Sequence, residues 1–204
     1  YYLYRLVMGT HTQTGIVAVA SVPDYDSNRI RKHEFTRPDK EDDRVRHIEA
    51  LQAHTGPVFL TYRATTAMDE FVAKKIAAQP DVDFTGKDGV RHSSWSVSDA
   101  AGIQFIAEQF ARIPSLYIAD GHHRSAAAAR VAAARRRGTT RSSVDSHEWF
   151  LIVAFPHHAL RILDYNRVVR DLAGMTPEAF LARLRAKLDV AASDGAVRPA
   201  RHGE

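Results

Sequence analysis

The sequence has no cysteine, which excludes disulfide bonds and thiolate metal centres and suits a reducing cytoplasm. It has no apolar run approaching the roughly 20 residues a membrane-spanning helix needs, so a membrane protein is not expected. No signal peptide is visible, although the first residue is tyrosine and not methionine. No internal repeat is found, and no low-complexity tract beyond one alanine-rich stretch, so a solenoid or array is excluded. A strong charge of one sign is also missing: 28 basic residues face 24 acidic ones, and the net charge of +4 is spread along the chain. The one dense basic cluster, Arg135-Arg136-Arg137, closes a predicted helix, where cations complement the dipole. It reads as a solvated helix end and not as a nucleic-acid patch.

What is present is the composition of a soluble globular protein, 45% hydrophobic and 25% charged over 204 residues. That length suits one compact unit. The pattern assigns residues 1–192 to a single α/β domain and 193–204 to an irregular tail.

The chain is organised around residues 115–125, Ser-Leu-Tyr-Ile-Ala-Asp-Gly-His-His-Arg-Ser. Residues 116–119 are a short apolar run of β-forming character, and residues 125–137 are nearly all strong helix formers, which reads as strand, tight turn, helix. A strand feeding straight into a helix leaves the first helical N–H groups unpaired. His122, His123 and Arg124 add donors and positive charge at that spot. An anion there, a phosphate above all, would meet the N–H groups, the dipole and a guanidinium able to bind two oxygens. Gly121 allows close backbone approach, and Asp120 is an acid suited to a sugar hydroxyl, a magnesium ion or a proton. The alternative is that Asp120 caps the helix and the histidines are surface residues.

Elsewhere the pattern predicts hairpins over residues 2–8 with 15–22 and over 82–85 with 90–97. It predicts a helix from Pro38 to about Ala53 with Val45, Ile48 and Leu51 buried and Lys40, Arg44 and His47 along one face. A buried strand over 58–62, a helix over 66–78, and a helix capped at Ser98-Asp99 and ended by Ile113-Pro114 follow. Residues 138–146 read as a mobile loop, and 148–155 as the strongest buried strand. His157-His158 reads as a surface turn, and 160–163 as an antiparallel return. A helical segment from 164 to 169 and a helix from 176 to about 188 complete the pattern. Trp95 and Tyr117 are expected in the core. Hairpins mixed with strand–helix units point to the α/β class with a mixed sheet and flanking helices.

Residues 33–44 (His-Glu-Phe-Thr-Arg-Pro-Asp-Lys-Glu-Asp-Asp-Arg), 56–60 (Gly-Pro-Val-Phe-Leu), 116–124 (Leu-Tyr-Ile-Ala-Asp-Gly-His-His-Arg) and 166–169 (Asn-Arg-Val-Val) resemble the bacterial and archaeal family termed domain of unknown function 1015. Family members extend further at both ends, with an acidic Pro-Pro-Tyr-Asp type motif ahead of the first residue here, so the resemblance implies an internal fragment of a longer chain. The Asp-Gly-His-His-Arg turn is also distantly similar to the phosphate-binding turn of the ParB and sulfiredoxin-like fold. That fold includes free-serine kinases, CTP-binding partition proteins and an ATP-using sulfinate reductase.

These likenesses imply a nucleotide phosphate held by Gly121, His122, His123 and Arg124, with Arg37 and Arg44 assisting. Catalytic roles are expected for Asp120, His33, Glu34 and Glu41. Magnesium is expected on Asp120, Glu41 and Asp43 if phosphoryl transfer is the reaction. The dense charge of residues 33–44 is alternatively a helix-surface ion network. Two functions follow: a small-molecule kinase, for serine or another amino acid, using a nucleoside di- or triphosphate; or a nucleotide-gated binding module without turnover. The expected partners are a small-molecule substrate and a nucleotide, without membrane or nucleic acid.

Overall fold

The computed structural model describes residues 1–137, 145–162 and 166–193. The chain divides into two compact units, Tyr1–Leu160 and Arg161–Glu204.

In the first unit, the strands β1 (Tyr2–Met8), β2 (His11–Ser21), β3 (Ile30–Arg31), β4 (Val58–Tyr62), β5 (Val82–Thr85), β6 (Arg91–Ser96), β7 (Leu116–Asp120) and β8 (Trp149–Pro156) form one sheet in the order β3-β7-β4-β8-β2-β1-β6-β5. The β3/β7 and β4/β8 pairs are parallel and the others antiparallel, so the sheet is mixed, as the hairpins and strand–helix units lead one to expect. The helices are α1 (Val22–Asp26), α2 (Pro38–Leu51), α3 (Thr66–Ile76), α4 (Ala100–Arg112) and α5 (His122–Arg136). Side-chain caps set three of their starts: Ser21 accepts from the Asp24 N–H, Thr65 from the Met68 N–H, and Asp99 from the Gly102 N–H.

The core follows from strand alternation. Trp95, Leu3, Ile16, Ala154, Leu60 and Ile118 stand opposite one another across six neighbouring strands, and none is more than 5% exposed. Over this unit's core lie the alanine face of α5, with Ala126, Ala128 and Ala132 buried, and Val22 and Tyr25 of α1. Small side chains let α5 approach the sheet closely, which is why an almost pure alanine face can serve as a core face. On the opposite sheet face, Tyr2, Val19, Phe84 and Tyr117 are exposed. Trp95 is thus a core residue, but Tyr117 is not, because it alternates with Ile118 onto that other face.

Three further expectations are corrected. Helix α2 buries none of its residues, and Leu51 is exposed. Val45 and Ile48 are half-buried, and long polar side chains join the helix to α5: Arg130 with Glu41 and Asp42, and Arg135 with Gln52. No strand returns beside β8 at 160–162, because β8 is already flanked by β2 and β4 and has no open edge; Leu163 lies outside the described residues. Arg136 is not a solvated helix end. It forms a two-pronged ion pair with the buried Glu148 and reaches Asp26 at 3.6 Å.

Elements α1 and β3, both absent from the sequence reading, connect β2 to the segment preceding α2. Most of the expected loop at 138–146 lies outside the described residues, and Ser146–Glu148 forms a single 3-10 turn. In the second unit the described residues hold one helix, α6 (Pro177–Arg185), capped by Thr176. Of the expected helical segment, 164 and 165 lie outside the described residues, and Asn166–Val169 are not helical.

Candidate functional site

Strand β7 ends at Asp120, and Gly121, with φ of +98°, turns the chain directly into α5. Only glycine takes this backbone without strain. A Cβ on Gly121 would lie 3.3 Å from the Val58 Cα in the neighbouring strand, so both conformation and close approach demand glycine. Gly121→Ala is therefore expected to cost about 1–3 kcal/mol, read as a lowered denaturation midpoint; an unchanged midpoint would show the turn to be unstrained.

No side chain caps α5. The first N–H bonded within the helix is that of Ser125, to the Gly121 carbonyl at 3.0 Å. The Ser125 hydroxyl donates backwards to the His122 and Gly121 carbonyls at 3.0 and 3.3 Å, fixing the first turn from inside. The helix thus opens at His122, three residues earlier than its run of helix formers suggests.

The segment before α2 meets this turn from 86 residues away: the Arg37 N–H donates to His123 Nε2 at 3.1 Å. His33 packs edge-to-face on His122 with ring centres 4.5 Å apart, and Glu34 Oε2 stands 3.3 Å from His122 Nδ1. Because β3 runs parallel to β7, the two chains leave the sheet at the same end, and that places His33 and Glu34 beside His122. The contacts of Arg37 with His123 and of Gln52 with Arg135 give α2 and α5 the same polarity. The positive ends of two helix dipoles therefore lie together.

Two cavities adjoin the turn. One, of about 330 Å³, is lined by Arg44, His47, His54, Gly56, Pro57 and Arg124 among others. The other, of about 400 Å³, is lined by Tyr25, Lys32, His33, Glu34, Phe35, Thr36 and His122. The Arg124 guanidinium, which lines the first of them, donates to the Pro57 carbonyl and lies 3.2 Å from Asp120 Oδ2. His54 is pushed toward the neutral form by burial, against a backbone hydrogen bond at Trp149. His122 is pushed the same way by burial and then by His33, with Glu34 and Asp120 opposing. Both are uncharged near neutral pH.

The residues expected at the site are brought together in part. His33, Glu34, His122 and His123 converge, and Arg44 and Arg124 share a cavity. Arg37 joins through its backbone, while its guanidinium binds Asp39 on its own helix. Glu41 accepts from Thr36 and pairs with Arg130, Asp43 lies 3.9 Å from Arg46, and Asp120 pairs with Arg124. Each of the three carboxylates expected on magnesium thus has a separate cation. Among the described residues no three His, Asp or Glu side chains gather into a group fit to hold a metal, so the donor set does not make a protein-built magnesium cage.

Lys32, Tyr25 and His54 were missed in the sequence. Lys32 sits next to the charged motif, and its ammonium lies over the Tyr25 ring at 3.9 Å; nothing local marked Tyr25 or His54.

Fold and site together define a mixed α/β protein whose central strand–glycine–helix turn is met by a second, charged segment. The chain belongs to the family described as protein of unknown function (DUF1015), whose model matches residues 1–204. No curated protein and no solved structure matches it.

Proposed function

We propose that the chain binds a nucleoside di- or triphosphate, with its phosphates beside the N-terminus of α5 between Arg124 and Arg44. We further propose that it transfers phosphate to a small hydroxyl-bearing molecule such as serine or another amino acid. The observation that carries this reading is the basic cavity of Arg44, His47, His54 and Arg124 at an uncapped helix start. Backbone N–H groups, a dipole and two guanidiniums complement a phosphate there. The 400 Å³ cavity that His122 lines is the natural seat for the acceptor. Magnesium, in this reading, comes in on the nucleotide's own phosphate oxygens, as it commonly does at phosphoryl-transfer sites.

The dispersal of Glu41, Asp43 and Asp120 into separate ion pairs favours a second reading, a nucleotide-gated binding module of ParB-like type without turnover. A coupled assay for nucleoside diphosphate release from ATP and magnesium, with and without a panel of free amino acids, separates the two. The kinase reading expects release that depends on one amino acid. Nucleotide binding without such release selects the binding module.

A further inference from the structure

His122 is buried, 4% exposed, and its Nε2 has no hydrogen-bond partner. A buried polar nitrogen without a partner is unfavourable and calls for an explanation. The ring's other nitrogen lies 3.3 Å from Glu34 Oε2. An ionised carboxylate only accepts hydrogen bonds, so its nearness favours the tautomer with the proton on Nδ1 and a bare lone pair on Nε2. The ring itself lines the cavity of Tyr25, Lys32, His33, Glu34 and Phe35, and Arg124, two residues on, lines the basic cavity.

We propose, resting on the phosphotransfer reading above, that His122 is the general base for the acceptor and that Glu34 is the residue positioning it. The acceptor's hydroxyl oxygen forms a bond to the γ-phosphorus of a nucleoside triphosphate, and the bond from that phosphorus to the β–γ bridging oxygen breaks. The nucleoside diphosphate leaves with the electron pair. The hydroxyl proton passes to His122 Nε2, and the resulting imidazolium is stabilised by Glu34 and Asp120 against His33, His123 and the nearby Lys32. Burial and His33 keep His122 uncharged beforehand, which is the state a base requires.

The test uses the full chain with labelled histidine, ATP with magnesium, and the amino acid that supports release in the coupled assay, or L-serine if none stands out. Nitrogen NMR is expected to show His122 as the Nδ1–H tautomer, and Glu34→Gln to convert it to a mixture. His122→Asn is expected to keep ATP binding while lowering transfer roughly a hundred- to ten-thousand-fold. In Glu34→Gln, which alters an exposed side chain, the acid limb of the kcat/KM profile is expected to move to lower pH, because the carboxylate holding the imidazolium is gone. A merely structural glutamate would leave that limb in place.

An Nε2–H tautomer in a protein that binds ATP overturns the role of His122 alone. Full transfer by His122→Asn does the same. Failure of the wild-type protein to bind ATP overturns the phosphotransfer reading, and the base role with it.

Discussion

Replacing Arg136 by alanine is expected to destabilise the Tyr1–Leu160 unit by about 3–5 kcal/mol. The Arg136 guanidinium meets both carboxylate oxygens of Glu148, whose side chain is 4% exposed, while that of Arg136 is 24% exposed. The pair fastens the last turn of α5 to the start of β8, and β8 lies near the middle of the sheet. Removing the cation takes away the guanidinium that meets both oxygens of a buried carboxylate, leaving His147 3.9 Å from it, and breaking a buried pair from one side is the costly way to do so. Arg136→Met combined with Glu148→Leu removes both charges and fills the space, so most of the loss is expected to be recovered. Urea unfolding of the two variants checks this. A single variant within 1 kcal/mol of wild type would show that the pair does not anchor the helix.

Arg124→Ala is expected to weaken nucleotide binding by about 1.5–3 kcal/mol, the range for hydrogen bonds to charged groups. Arg124 and Arg44 line the same cavity, and Arg124 alone of the two also braces the Pro57 carbonyl across the strand end. Its loss also leaves Asp120, 3.2 Å away, without the guanidinium that masks its charge from an incoming phosphate. Binding should therefore fall toward the upper end of that range. An unchanged dissociation constant for Arg124→Ala, measured calorimetrically, would remove this residue from the ligand's contacts.

Much of the fold was legible because its signals are local. Turn glycines mark the hairpins, Asp99 marks a helix start, and the Asp120-Gly121 step marks the strand-to-helix turn. The misread elements are those whose environment is set from a distance. The buried run of residues 149–156 gives no hint that both neighbouring edges are filled, which is what forbids a returning strand. Tyr117 and Ile118 are equally apolar to a sequence reader, yet only one sheet face at that strand is covered. In α2, Val45, Ile48 and Leu51 suggest a buried stripe, but Val45 and Ile48 are only half-buried, Leu51 is exposed, and Arg130 ties the helix to α5 through Glu41 and Asp42. The site shows the same division. Residues 33–37 and 120–124 announced themselves by their density of charge and histidine. The nearness of Lys32 depends on the parallel pairing of β3 with β7, which no local pattern records.

The central claim is that the turn from Asp120 to Arg124 is built for phosphate. Calorimetric titration of the chain with a non-hydrolysable ATP analogue and, separately, with adenosine tests it most directly. The account predicts saturable binding of the triphosphate, about tenfold or more tighter than adenosine, with that advantage lost in Arg124→Ala. Equal affinity for the two ligands, or an advantage that survives Arg124→Ala, would contradict it.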